Sequence, residues 1–267
     1  MAIPVIESVK TIEQQFNTGE EPVLVTCSDM NTYVCKYMRS SAASYKLVCE
    51  LVGAQMASSW QLPTPKIAFV QIKQKHWNSR QVSHNLSAPA IGSKRIEGVV
   101  DITPSTYQKV APKKEMLQQL LEIALFDFWM ANEDRNANNA NLLYNVVQER
   151  LVPIDYGCIF NTATFDFPLS QLTTTDSILS SDLFHLLTKD KPKELYQEII
   201  AETFGVYINR LKRSKLQLDA ILSELPKEWN VPREVVANKL SQLFDNHWTS
   251  ETWKNFVECL NENICNE

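Results

Sequence analysis

"NEDRNANNANLLYN", residues 132–145, supports two readings. Six of its fourteen residues are Asn, two are Ala, and an acid–base dipeptide stands near the front. Taken as composition, it is a solvated loop in which Asp staples the chain and Asn fills left-handed turn positions. Taken by position, it is a loop that presents Asp134 and, five residues later, Asn139 to a metal and a phosphate. The flanks decide between the two. Before it, "EMLQQLLEIALFDFWMAN" (115–132) is apolar on more than one face, the pattern of a helix buried in a larger domain. After it, "LLYNVV", "QER" and "LVPIDYGCIF" predict two short strands joined by a tight turn, then an exit into a further loop.

That second strand delivers Asp155 directly after "LVPI". A carboxylate placed there is desolvated, which is costly without a cation or hydrogen-bond donors. Asp134, Asn139 and Asp155 together form the inventory that phosphoryl transfer requires. One carboxylate orients and deprotonates the attacking hydroxyl, and hard oxygen donors hold Mg²⁺ against the phosphates. Asn141 reads as support for the loop backbone, and Asn136 and Asn138 as filler.

The front of the chain adds a cation. "EPVLVTCS" and "TYVCKYM" flank the turn-compatible "DMN" and predict an antiparallel pair ending in Lys36. In "SSAASYKLVCELVGAQMASSWQL" (40–62), Leu47, Val48, Leu51, Ala54, Gln55 and Ser58 step at helical spacing, and the same helix carries Glu50. Alone, Lys36 is a lysine blunting a strand edge, and Glu50 is an i,i+4 partner of Lys46. In this order, ahead of Asp134 and Asp155, they match a strand lysine braced by a helix glutamate beside nucleotide phosphates. "LPTPKIAFVQI" continues as a strand. Residues 73–98, polar and bearing Pro89, Gly92 and Gly98, read as a connector between lobes. From about 178 to 265 the chain is helical, interrupted by "LPKEWNVP".

On "YVCKY", "ELVGAQMASSWQLPTP", "NEDRNANNANLLY" and "VPIDYGCIF" the sequence resembles the HipA-like kinases across most of residues 15–235. The resemblance implies an α+β, two-lobed protein kinase-like fold. A small β-rich N-lobe with one main helix (1–91) and a hinge (92–98) would lead to a larger, mostly helical C-lobe (99–267). It implies ATP and Mg²⁺ as cofactors, with Asp134 as base, Asn139 and Asp155 on the metal, and Arg135 stabilising the loop. Lys36 would contact the phosphates and Glu50 would brace it. The hinge from Gly92 to Glu97 would receive adenine through backbone groups. It also suggests a protein Ser/Thr acceptor, and an antitoxin or separately encoded partner subunit. The phosphate-covering stretch "QQFNTGEEPVLV" (14–25) offers only Gly19, beside two glutamates. That departure keeps open a nucleotide-binding pseudokinase or interaction module, and a small-molecule or lipid kinase is a third reading.

Composition narrows the field. Hydrophobic residues are 44% and charged ones 21%, enough apolar surface for a sizeable core. A net charge of −5 favours neither direct nucleic-acid binding nor an anionic membrane surface. The six cysteines show no CxxC pairing and the four histidines are scattered, so no zinc spacing is present. The beginning "MAIPVIESVKTIEQQF" lacks a signal-peptide pattern and no run approaches a membrane span, which predicts a cytoplasmic protein with reduced thiols. "LTTTDSILSSD" (172–182) reads either as a regulatory phosphosite segment or as a loop with helix caps.

Overall fold

A computed structural model of the chain describes residues 2–40, 43–77, 87–110 and 113–265. Six strands build the first sheet: β1 (Val5–Glu7), β2 (Gln14–Gln15), β3 (Val23–Thr26), β4 (Thr32–Lys36), β5 (Ile67–Gln71) and β6 (Ala90–Lys94). Their spatial order is β1-β5-β6-β4-β3-β2, with β1 parallel to β5 and the other pairs antiparallel. The β3–β4 hairpin forms where the sequence predicts it. Asp29 closes its turn by accepting from the Asn31 amide (3.1 Å) and the Tyr33 hydroxyl (2.7 Å).

Alternation along β4 decides which side of the sheet Lys36 occupies. Tyr33 and Cys35 point into a core shared with Val23, Val25, Ala68, Val70 and Trp77, so Lys36 faces the opposite side. There α1 (Ala43–Ser59) packs over Phe69 and Ile91. The helix is buried around most of its circumference, Cys49, Val52, Met56 and Ala57 included, so its apolar face is broader than its spacing suggests.

The expected connector at 73–98 is strand in part, and its residues 78–86 lie outside the described ones. "AIGSK" is β6, in the middle of the sheet. Gly92 sits there because a Cβ would come 2.7 Å from Val70 and 3.1 Å from Tyr33. A glycine that reads as a loop signal is a packing requirement between two strands. Only Arg95–Gly98 remain as the link to β7 (Val99–Asp101), which pairs with β8 (Leu142–Asn145), itself paired with β9 (Arg150–Pro153).

The second half is helical: α2 (Lys114–Met130), the single turn α3 (Ile159–Ala163), α4 (Asp182–Thr188), α5 (Lys193–Lys215), α6 (Leu218–Glu224), α7 (Arg233–Gln242) and α8 (Asn246–Cys265). One core runs from α1 through α2 into these helices. Trp60 at the end of α1 stacks on Trp129 of α2, with centroids 5.1 Å apart and 17° between planes. Buried rings of this size fix α1, and so Glu50, relative to the C-terminal half. In the 172–182 segment, Thr173 forms a capping box with Asp176 and Ser181 caps α4. Cys27, Cys35, Cys49, Cys158 and Cys259 are free, and no described helix is long and apolar enough to cross a membrane.

Candidate active site

Two clusters meet where α1, the end of β4, the loop after α2 and the segment after β9 converge. In the first, Lys36 Nζ donates to Glu50 Oε1 at 2.5 Å and to Asp155 Oδ1 at 2.6 Å. The alternative partner for Glu50, Lys46, pairs with Glu20 instead. Two carboxylates thus share one ammonium. Burial opposes ionisation of Asp155, but the Lys36 charge outweighs it and holds this carboxyl down to about 2. Burial pushes Glu50 up to about 7, with Lys36 pulling the other way and Asp155 adding to the rise. Lys36 is desolvated too, yet its two acidic neighbours raise it above the ordinary lysine value.

Close backbone approach makes this cluster. A Cβ on Gly157 would stand 3.1 Å from Glu50 Oε1 and 3.6 Å from Lys36 Nζ. The Tyr156 amide donates to Glu50 Oε2 at 3.2 Å. Asp155 itself has a left-handed φ of +60°, a strained conformation of the kind that persists where surrounding contacts enforce it.

The second cluster is the Asn-rich loop. α2 ends at Ala131 in a left-handed cap. Inside α2, Asp127 is buried and accepts from Asn132 Nδ2 and Arg135 Nε, each at 2.8 Å. Burial pushes its carboxyl up to about 6 against the pull of Arg135. Arg135, fully buried, also donates through Nη1 to the carbonyls of Asn141 and, at 3.1 Å, Ile154. Its guanidinium lies 5.6 Å from the Tyr156 ring centre. One side chain therefore ties the end of α2, the start of β8 and the strand leading to Asp155. Sequence reading misses Asp127, although an acid within "ALFDFWM" is a signal of a buried partner.

Asp134 is half-buried, and its Oδ2 accepts from Asn141 Nδ2 at 2.8 Å. Asn139, expected on the metal, is exposed, and its backbone closes a turn with Asn136 in both directions (3.0 and 3.2 Å). That turn absorbs two residues, so the amide beside Asp134 comes from the position directly before β8. Arg135 links the Asp134 and Lys36 clusters through the carbonyls of Asn141 and Ile154, next to Asp155. Cys158, whose thiol burial pushes up to about 11, feels the charges of Asp134, Lys46, Asp155 and Lys36.

Glu133, next to Asp134, holds the following segment by accepting from Asn161 Nδ2 and Thr162 Oγ1, both at 2.8 Å. Those contacts stabilise α3, which is left-handed from Phe160 through Ala163, a conformation costing roughly 1–2 kcal/mol per residue. Gly19 lies in the β2–β3 turn, where its carbonyl accepts from Arg39 at 3.1 Å. Gly92 is flanked by β4 and β5, away from the cluster, while Glu97 is exposed on the link to β7.

A β-rich lobe whose strand lysine is held by a helix glutamate, joined to a helical lobe, has a protein kinase-like fold. The chain matches the HipA-like kinase family over residues 9–255 and belongs to that family. Its chemistry is kinase-type phosphoryl transfer. No curated protein matches it in sequence. Among solved structures, the proinflammatory kinase CtkA of Helicobacter pylori superposes with a TM-score of 0.54 at 12% identity, covering 98% of this chain and 99% of that one. The Golgi casein kinase with Mn/ADP bound gives 0.49 at 12% identity, covering 100% and 75%.

Proposed function

We propose that the two clusters line a cleft that binds ATP with Mg²⁺ and transfers the γ-phosphoryl group to a Ser or Thr hydroxyl of a protein. The observation that carries the reading is the Lys36–Glu50–Asp155 cluster tied by Arg135 to the loop that holds the Asp134–Asn141 pair. Asp155 and the Asn141 amide oxygen supply the hard donors, and we assign the metal amide to Asn141 in place of Asn139. Among the described residues no group of three or more His, Cys, Asp or Glu could hold a metal alone. A donor set this small suits Mg²⁺, which keeps waters and phosphate oxygens in its shell. Bound there, Mg²⁺ would neutralise charge on the phosphates.

The protein's own groups do the rest. Lys36, fixed by Glu50, would stand against phosphate charge. Asp134 accepts the proton of the acceptor hydroxyl, held in orientation by Asn141. Arg135 keeps the two loops in register, so base and metal carboxylate stay at a fixed separation. The Arg95–Gly98 link, with Glu97, borders the adenine end.

The test is incubation with Mg²⁺ and γ-labelled ATP, alone and with cell lysate, beside Asp134→Ala. Label on a discrete lysate protein, absent with the variant, is the expected result and identifies the acceptor. No transfer by the wild type, with ATP still raising its melting temperature, would favour a binding module without transfer activity. In the same preparation Asp155→Asn weakens Mg²⁺-dependent nucleotide binding more than Mg²⁺-free binding. Equal weakening removes Asp155 from the metal.

A further inference from the structure

The turn between β2 and β3 carries Glu20 and Glu21 beside Gly19, an unfavourable charge to place over nucleotide phosphates. Both acids are engaged, by different partners. Glu21 is held twice, by Arg39 at 2.9 Å and by Gln15 Nε2 at 3.1 Å, and Arg39 also bonds the Gly19 carbonyl. Among the described residues, Glu20 pairs with Lys46. Lys46 lies on α1 one turn before Glu50, on the face that looks toward Lys36. The charges of Cys158 and Lys36 act on its ammonium.

We infer that Lys46 is a second phosphate-binding cation of this cleft, and that Glu20 is the resident anion it exchanges for nucleotide phosphate. The inference rests on the proposed ATP site and adds a step to it. Without nucleotide, the Glu20–Lys46 pair clips the turn onto α1. When phosphate arrives, Lys46 turns to it and Glu20 swings into solvent, while Arg39, still holding Glu21 and Gly19, keeps the turn tethered. An acidic turn is then compatible with an anionic ligand because its mobile acid leaves as the ligand enters. Adenosine, lacking phosphate, cannot drive the exchange.

Calorimetric titration with Mg²⁺·ATP and with adenosine tests this on the full chain. Glu20→Gln removes the competing anion and is expected to tighten ATP about 10-fold with adenosine unchanged. Lys46→Met weakens ATP about 10-fold, again leaving adenosine unchanged. In the Lys46→Met background, Glu20→Gln has no further effect, because the pair acts as a unit. ATP affinity unchanged or reduced by Glu20→Gln overturns the exchange. The same gain with and without Lys46 also overturns it, since a general field effect would then be enough. A wild type that binds neither ATP nor adenosine instead overturns the reading of the cleft as a nucleotide site.

Discussion

Gly53 sits within α1 under Tyr156, and replacing it with Ala sets two effects of known sign against each other. A helix-interior Gly→Ala change normally stabilises by about 1 kcal/mol, through backbone entropy and propensity. Here the new Cβ would lie 2.2 Å from Tyr156 Cβ and 2.5 Å from its Cγ. Tyr156 Cβ is attached to the backbone, so no rotamer change relieves the clash, and α1 and the 155–157 segment must separate by roughly 1 Å. Overpacking of that kind costs up to about 3 kcal/mol, which outweighs the propensity gain and leaves a net loss of about 2 kcal/mol. Gly205, exposed in α5 with nothing within 4 Å of where an alanine Cβ would stand, is the internal control. Gly205→Ala should gain up to about 1 kcal/mol. Urea unfolding of both variants reads the two signs directly. The displaced segment carries Asp155, so phosphoryl transfer by Gly53→Ala should also drop about 100-fold, the scale of a 1 Å misplacement. A Gly53→Ala protein as stabilised as Gly205→Ala, with full activity, would refute the claim that close approach of Tyr156 to α1 sets the Lys36–Glu50–Asp155 geometry.

Two further outcomes rest on the same contacts. Asn141→Ala should lower Mg²⁺-dependent nucleotide binding and transfer by about 10–100-fold, while Asn139→Ala changes either by less than about 3-fold; the reverse order in a titration with Mg²⁺·ATP would return the metal amide to Asn139. Glu50, pushed up to about 7, holds its proton in the folded state after the unfolded chain has released it. Its contribution to stability is therefore complete below the ordinary carboxyl value and is lost as pH rises through about 7. Compared with Glu50→Gln by urea unfolding between about pH 4.5 and 7, the nucleotide-free wild type should lose stability as pH rises, and a flat difference would show that Glu50 stays ionised throughout.

What is legible in the sequence and what is hidden there divide along a physical line. Lys36, Glu50, Asp134 and Asp155 are legible because each lies at a fixed place on a regular element or beside one: a strand end, a helix face, a helix exit, a strand exit. Periodicity locates such positions. Gly92 reads as part of a connector because a loop-permissive glycine and a glycine required by packing look identical until Val70 and Tyr33 are placed over it. The pairing of Glu50 with Lys36 rather than Lys46 is a tertiary choice, made as Glu20 reaches Lys46 from a turn 26 residues away.

The Asn-rich loop shows the same division within a single stretch. Counting from Asp134 selects Asn139, since spacing is the only measure a sequence offers. Folded, the backbone from Asn136 to Asn139 closes on itself, and Asn139 is left exposed before the chain re-enters the fold. Re-entry is enforced by Arg135, whose buried charge needs carbonyl partners as well as Asp127, and it takes them from Asn141 and Ile154. The Asn141 carbonyl also accepts the Ile154 amide at 3.0 Å. The backbone that Arg135 grips is thus the backbone that aims the Asn141 amide at Asp134 and delivers Asp155 one residue after Ile154. Position relative to the strand, fixed by a buried guanidinium, decides which asparagine faces Asp134, and distance along the chain does not.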